Sequence, residues 1–379
     1  MNWTVPNTES LLRRLEKPKG KIDVVLDTDT YNELDDQFAL SYMMKNSDKL
    51  NVKALYAAPF LNDKSVSPKD GMEKSYDEIL KLLTLLKRED LKAVTFKGSE
   101  TYLTDEDTPV LSPAAEDLAK RAMDYTPEKP LYVVAIGAIT NVASALLLKP
   151  EIRDRIVLVW LGGNALHWPD NREFNMYQDV AAGRIVFGCG AALVQLPCAG
   201  VVSGFTVSEP EFKDYFLGKN ELCDYLAHYA IEEGRRWAQA ETWSRVIWDV
   251  TAVAWLLDGE FMDDTLLHSP IPQYDDTWTP SNTRHFMRYV YNIHRDVLLK
   301  DLVQKLTEIK NVNIKCDTFL NFFYPIFLTS SVNNSPAVLY FCISSSVLLS
   351  KFSPFGIFRR TSLFVTSFVP RSQLLYGWQ

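Results

Sequence analysis

The residues best suited to chemistry stand together near the start of the chain. Leu26-Asp27-Thr28-Asp29-Thr30-Tyr31-Asn32-Glu33-Leu34-Asp35-Asp36 places five carboxylates within ten residues. Like charges this close at the end of an apolar run repel one another and resist burial. A bound cation relieves both costs, and a donor set made only of oxygen selects a hard ion, Ca²⁺ or Mg²⁺, over zinc. The plainer reading of the same stretch is a solvated acidic loop with Asp35 or Asp36 at the start of a helix. Further polar groups recur along the chain, at Thr140-Asn141, at Glu173-Phe174-Asn175 with Asp179, and at Trp248-Asp249. Each has a plainer reading too: Glu173 as a helix start, Asp249 as an N-cap.

To act together, these groups must be carried to one place. Residues 22–26 (IDVVL) form an apolar, β-branched run that ends in the acids, and residues 37–44 continue with helical spacing. Further strands are expected at 52–58, 131–136, 156–161 and 192–196. Helices are expected at 75–87, 114–123, 141–148 and 180–187, with a helical segment at 286–309 closing the domain. Alternating strands and helices predict an α/β fold, a mostly parallel open sheet with helices on both faces. In such sheets ligands collect at the carboxyl ends of the strands, and each polar motif follows an apolar strand.

Two enzyme families place acids in this way. Asp27-Thr28-Asp29-Thr30 fits the Asp-x-Asp-x-Thr of haloacid-dehalogenase-type phosphatases, but the Gly-Asp-x-x-x-Asp those enzymes need for magnesium is not found. The chain also resembles the inosine-uridine type of nucleoside hydrolase, whose motif is Asp-x-Asp-Pro-Gly-x-Asp-Asp before an apolar helix. Asp35-Asp36-Gln-Phe-Ala-Leu matches the family's Asp-Asp-Ala-x-Ala-Leu. Ala135-Ile-Gly-Ala-Ile-Thr-Asn-Val-Ala143 resembles its Gly-Pro-Leu-Thr-Asn-x-Ala turn. Glu173-Phe174-Asn175 with Asp179 resembles its Glu-Phe-Asn-x-x-x-Asp, and Trp248-Asp249 its His-Asp-Pro. Each motif is weak alone; four in the family's order, over roughly residues 20–312, are specific.

The resemblance implies calcium-dependent hydrolysis of the bond between ribose and base, in nucleoside salvage. It implies Ca²⁺ held by Asp29, Asp36, Asp249 and the carbonyl of Thr140. It also implies Asp29 as the base that activates water, and Asp35, Glu173, Asn175 and Asp249 as ligands of the ribose hydroxyls. Asp27 would orient the ligand loop. Three departures stand out. Asn32 and Glu33 are additional in the acidic loop. A family Asn after the second strand is replaced near Pro59-Phe60, although Asn62 is close by. Trp248 replaces the His assigned to protonate the departing base. His167 is a candidate substitute, with a surface His of no role as the plainer reading. Trp160, Trp168, Trp237, Trp243 and Trp248 are candidates to stack on a base, although most tryptophans simply pack. The competing functions are a phosphatase built on Asp27 and Asp29, or a protein of this fold that no longer turns over.

Composition narrows the field. A net charge of −8 disfavours nucleic acid as a partner. The five cysteines form no CxxC pair and suit free thiols in a reducing compartment. With no apolar leader and no run of about 20 apolar residues, a cytoplasmic protein without membrane contact is expected. The partner is then a small-molecule nucleoside, and a homo-oligomer is left open. The domains expected are an N-terminal segment at 1–20, a catalytic domain at 21–312 and an atypical Ser/Phe-rich tail at 313–379. From Thr318 onward there is no Asp, Glu or His, and the stretch holds ten of the twenty Phe. It reads as a translated frameshift or retained intron, expected to pack poorly and to supply nothing to the site.

Overall fold

In the computed structural model, described for residues 3–308, the elements alternate as the apolar runs predict. In chain order they are α1 (Thr8–Arg14), β1 (Ile22–Thr28), α2 (Asp35–Lys45), β2 (Leu50–Ala57), α3 (Pro68–Leu85), β3 (Thr95–Lys97), α4 (Pro113–Arg121), β4 (Leu131–Ala135) and α5 (Thr140–Leu148). There follow β5 (Ile156–Leu161), α6 (Phe174–Gln178), α7 (Val180–Gly188), β6 (Ala192–Leu196), β7 (Thr206–Ser208), α8 (Glu209–Tyr215), α9 (Glu221–Trp237) and β8 (Ser244–Val246). The described part ends with α10 (Val250–Trp255), β9 (Met262–His268), β10 (Ile271–Pro272), β11 (Trp278–Thr279), β12 (Phe286–Ile293) and α11 (Arg295–Thr307). The atypical tail lies outside the described residues.

Eight strands form one sheet in the order β3-β2-β1-β4-β5-β6-β12-β9. All neighbours pair in parallel except β9, which runs antiparallel to β12 at the edge. β4, β5 and β6 are buried along their whole length, as strands covered on both faces must be. Two apolar cores lie against the sheet, one around Phe38, Leu55 and Trp255, the other around Tyr56, Leu146 and Trp160. The N-terminal helix α1 joins the first core through Leu11 and Leu15, and Arg14 donates to the carbonyls of Arg153 and Ile156. Among the described residues no helix is long and apolar enough to cross a membrane.

One expectation needs correction. The segment 286–309 is not helical throughout: Phe286–Ile293 is strand β12, and only from Arg295 does a helix run. Met287, Tyr289 and Val290 are buried while Arg288 reaches out to Asp264 and to the Leu15 carbonyl. The cross-strand partner, which local spacing does not reveal, decides the conformation.

The strand order reverses between β1 and β4: the chain runs outward through β2 and β3, then returns to the other side of β1. Connections leave these two strands in opposite directions, and a crevice opens at their carboxyl ends. The acidic loop follows β1 at this point.

Candidate active site

Five aspartates from four segments gather where the crevice opens, four toward it and Asp27 behind them. Asp27 is the penultimate residue of β1, Asp29 follows the strand, Asp35 and Asp36 open α2, and Asp249 precedes α10. All are at most 3% exposed. The local sequence explains why α2 presents acids. Helices α3, α4 and α9 begin with conventional side-chain caps from Ser67, Ser112 and Asn220. At α2 the cap position is Leu34 and no side chain makes a cap bond to the helix. Asp249 likewise makes no cap bond to α10. Neither the solvated-loop nor the N-cap reading therefore describes them.

Carboxylate oxygens of Asp35, Asp36 and Asp249 come within 4.8 Å of one another. Asp35 accepts from the Asp249 amide at 3.3 Å, and Asp36 from the Thr28 hydroxyl. Neither oxygen of Asp29 has a hydrogen-bond partner, although the side chain is wholly buried. Burial raises the Asp29, Asp35 and Asp249 carboxyls well above the ordinary range, and neighbouring carboxylates raise them further. Burial also brings Asp36 to about 7, against hydrogen bonds from Thr28 and Asp249. Buried, mutually repelling carboxylates, with both Asp29 oxygens partnerless and no other donor type present, fit a hard divalent cation. The tight cluster contains Asp35 beside the two expected ligands Asp36 and Asp249, with Asp29 close enough to act on Asp249.

The turn after β4 completes the cradle. A Cβ at Gly137 would fall 2.9 Å from Asp29 Oδ1, so only glycine lets the backbone pass this close. Thr140 opens α5, and its hydroxyl donates to Asp179 at 2.6 Å. Asp179 also receives the Leu103 and Ala182 amides. Asn141, to which the sequence reading gave no role, holds the cradle from behind. Its Nδ2 donates to Asp27 Oδ1 at 2.8 Å and to the Ala57 carbonyl, and its Oδ1 accepts from the Ser99 amide and hydroxyl. An Asn in an otherwise apolar helix start (TNVASALLL) was the available signal, since a buried amide must find partners. Asn141→Ala is expected to cost about 2–3 kcal/mol of stability by stranding Asp27 and Ser99 in the core. A denaturant midpoint equal to wild type would show that this network holds nothing.

Glu173 and Asn175 come from the start of α6. Glu173 does serve as the helix cap: its carboxylate accepts from the amides of Gly163 (2.8 Å), Asn175 (2.9 Å) and Met176 (3.0 Å). Burial raises its carboxyl, opposed by these amides. Asn175 spans two strand ends through Nδ2, to the carbonyls of Ile136 (3.3 Å) and Leu161 (3.1 Å). The departures from the family pattern also find places. Asn62 donates to Asn32 at 2.7 Å, and Glu33 pairs with Arg245 at 2.9 Å, tying the enlarged acidic loop to its neighbours. Trp248 is half-buried against the core. His167 is exposed in the loop after β5. Trp160 is a core residue bound to the Gly137 carbonyl, and Trp243 packs near Phe212, whereas Trp168 and Trp237 are exposed.

Comparison with known proteins identifies the family and the fold. The family model for inosine-uridine preferring nucleoside hydrolase matches residues 24–318. A pyrimidine-specific ribonucleoside hydrolase of Salmonella arizonae is 26% identical over 57% of this chain and 77% of its own length. Its counterpart from Salmonella paratyphi B is 27% identical with the same coverage. Among solved structures, a plant nucleoside hydrolase superposes with a TM-score of 0.61 at 19% identity, covering 76% of this chain and 99% of that one. A purine-preferring ribonucleoside hydrolase from Gardnerella vaginalis gives 0.61 at 20% identity, covering 76% and 98%. With the acids, the crevice and the fold in place, the family match is decisive: the chain belongs to the inosine-uridine preferring nucleoside hydrolases, enzymes that cleave the N-glycosidic bond of ribonucleosides.

Proposed function

We propose that this chain is a calcium-dependent, cytoplasmic enzyme that hydrolyses ribonucleosides to ribose and free base. The observation that carries this reading is Asp29, a wholly buried carboxylate with neither oxygen hydrogen-bonded, among Asp35, Asp36 and Asp249. Asp29, Asp36, Asp249 and the Thr140 carbonyl would hold Ca²⁺, which when bound supplies a Lewis acid that makes a water easier to deprotonate. Asp29 takes that proton as general base. Asp35, Glu173, Asn175 and Asp249 hold the ribose hydroxyls; Asn175 has both Nδ2 bonds committed to strand carbonyls, which leaves its Oδ1 to accept from a hydroxyl. The negative charges of Asp35, Glu173 and Asp249 favour the oxocarbenium-like transition state. Asp27 stays behind the site, bound to Asn141. That placement also disfavours the phosphatase reading, whose nucleophile must meet its substrate.

The test is a panel of nucleosides and p-nitrophenyl phosphate, with and without chelator. Ribose release that stops on chelation is expected. Phosphate release would overturn the reading, and bound calcium without ribose release from any nucleoside would mark a non-catalytic protein of this fold.

The raised carboxyls also set a pH signature. Asp27 and Asp36 titrate near 7 in the fold, against an ordinary value of 3.8. The metal-free fold thus binds more protons than the unfolded chain, so these groups cost stability as pH rises from about 4 through about 7. Calcium requires the ionised forms and offsets that cost. The thermal midpoint in chelator should fall between pH 5 and 8, and added Ca²⁺ should raise it more at pH 8 than at pH 5. A chelated protein that gains stability over this range would contradict the assignment.

A further inference from the structure

Two segments far apart in sequence meet at the crevice: residues 32–36, which lead into α2, and residues 244–249, which lead from β8 into α10. They are tied at two points. The Asp249 amide donates to Asp35 Oδ2 at 3.3 Å. Two residues before Asp35 and four before Asp249, Arg245 Nη2 donates to Glu33 Oε2 at 2.9 Å. The Glu33 and Arg245 side chains are 38% and 26% exposed, and Arg245 Nε is buried with no hydrogen-bond partner. Both ends of this pair are firmly mounted. Asn32 folds the loop just before Glu33: its amide donates to the Asp29 carbonyl at 2.7 Å, and its Oδ1 accepts from Asn62. Arg245 lies on β8 opposite Val207 of β7, and the Ile247 amide donates to the Phe205 carbonyl at 3.0 Å.

The distribution of charge gives this second tie its purpose. Asp35 and Asp36 stand on one segment and Asp249 on the other, so without a cation their repulsion pushes the segments apart. The Asp35–Asp249 bond lies inside the repelling group, whereas Glu33 and Arg245 attract each other across the same gap. We propose that Arg245 is a positioning residue: by pairing with Glu33 it clamps the segment that carries Asp249 onto the acidic loop, and so preorganises the three carboxylates for a divalent cation. This rests on the reading of the cluster as a Ca²⁺ site. Glu33 is one of the two residues by which the acidic loop exceeds the family pattern, so the family motif alone does not supply the clamp.

The sign of one effect separates a clamp from plain electrostatics. A guanidinium beside the site repels a cation, so an Arg245 that acted through its charge alone would make Arg245→Gln bind Ca²⁺ more tightly. The clamp predicts the reverse: in calorimetric titration with Ca²⁺, Arg245→Gln should bind about fivefold more weakly, the effect of one partly buried ion pair. Arg245→Lys keeps the pair and should recover most of the affinity. Glu33→Gln combined with Arg245→Gln should bind no more weakly than Glu33→Gln alone, since the pair can be broken only once. A second readout needs no metal: in chelator, the Asp249 amide should exchange its hydrogen about fivefold faster in Arg245→Gln than in wild type. An Arg245→Gln protein that binds Ca²⁺ as tightly as wild type or more tightly, or whose Asp249 amide exchanges at the wild-type rate in chelator, overturns the proposal. If wild type itself takes up no Ca²⁺, the metal reading fails and the proposal with it. If wild type binds Ca²⁺ and Arg245→Gln is silent, that reading stands and only the clamp fails.

Discussion

Asp36→Ala is expected to lose calcium and activity together, with kcat/KM down by a factor on the order of 10³ or more. Removing one preorganised electrostatic group from an active site commonly costs about 10²–10³. Asp36 belongs to the tight cluster with Asp35 and Asp249 and also orders Thr28 at the end of β1. The fold should survive, because the change removes a repelling, wholly buried carboxylate that costs stability near neutral pH when no cation is bound. Calorimetric titration with Ca²⁺ and ribose release measure the two losses separately. A variant that retains its metal and turns over at the wild-type rate would refute the site assignment.

The second large effect concerns the leaving group. A positioned acid contributes about 10²–10⁴ to a rate, and Trp248 stands where the family's proton donor is found. Inosine should therefore be hydrolysed slowly, whereas p-nitrophenyl riboside, whose leaving group departs without a proton, should largely escape the deficit. The gap between the two substrates should approach about 10²-fold. His167 is exposed in the loop after β5, so His167→Ala should change neither substrate. Efficient inosine hydrolysis that collapses in His167→Ala would instead identify this histidine as the donor.

Much of the fold is legible in short apolar runs. The reading of 156–161 and 192–196 coincides with β5 and β6 because both strands are buried throughout and show no competing period. The same reasoning fails at Phe286–Ile293. There a strand's buried residues are interrupted by Arg288 and Asn292, whose partners Asp264 and Asp263 sit on β9 and are invisible to local spacing. The two-stranded pairs β7–β8 and β10–β11 are too short to announce themselves. At the site, charge density exposes the acids, but the groups that hold them are uncharged. Asn141 stands out only once its buried partners are known.

The acids that meet in the crevice are far apart along the chain: Asp29, Asp35 and Asp36 are synthesised early, Asp249 only after β6 and α9. A nascent chain paused before α10 therefore holds the like charges together without their last partner, and α10 can dock on α2 only after Asp249 has been added. High affinity for a cation should accordingly appear only in chains that extend past Asp249 and have docked α10 on α2.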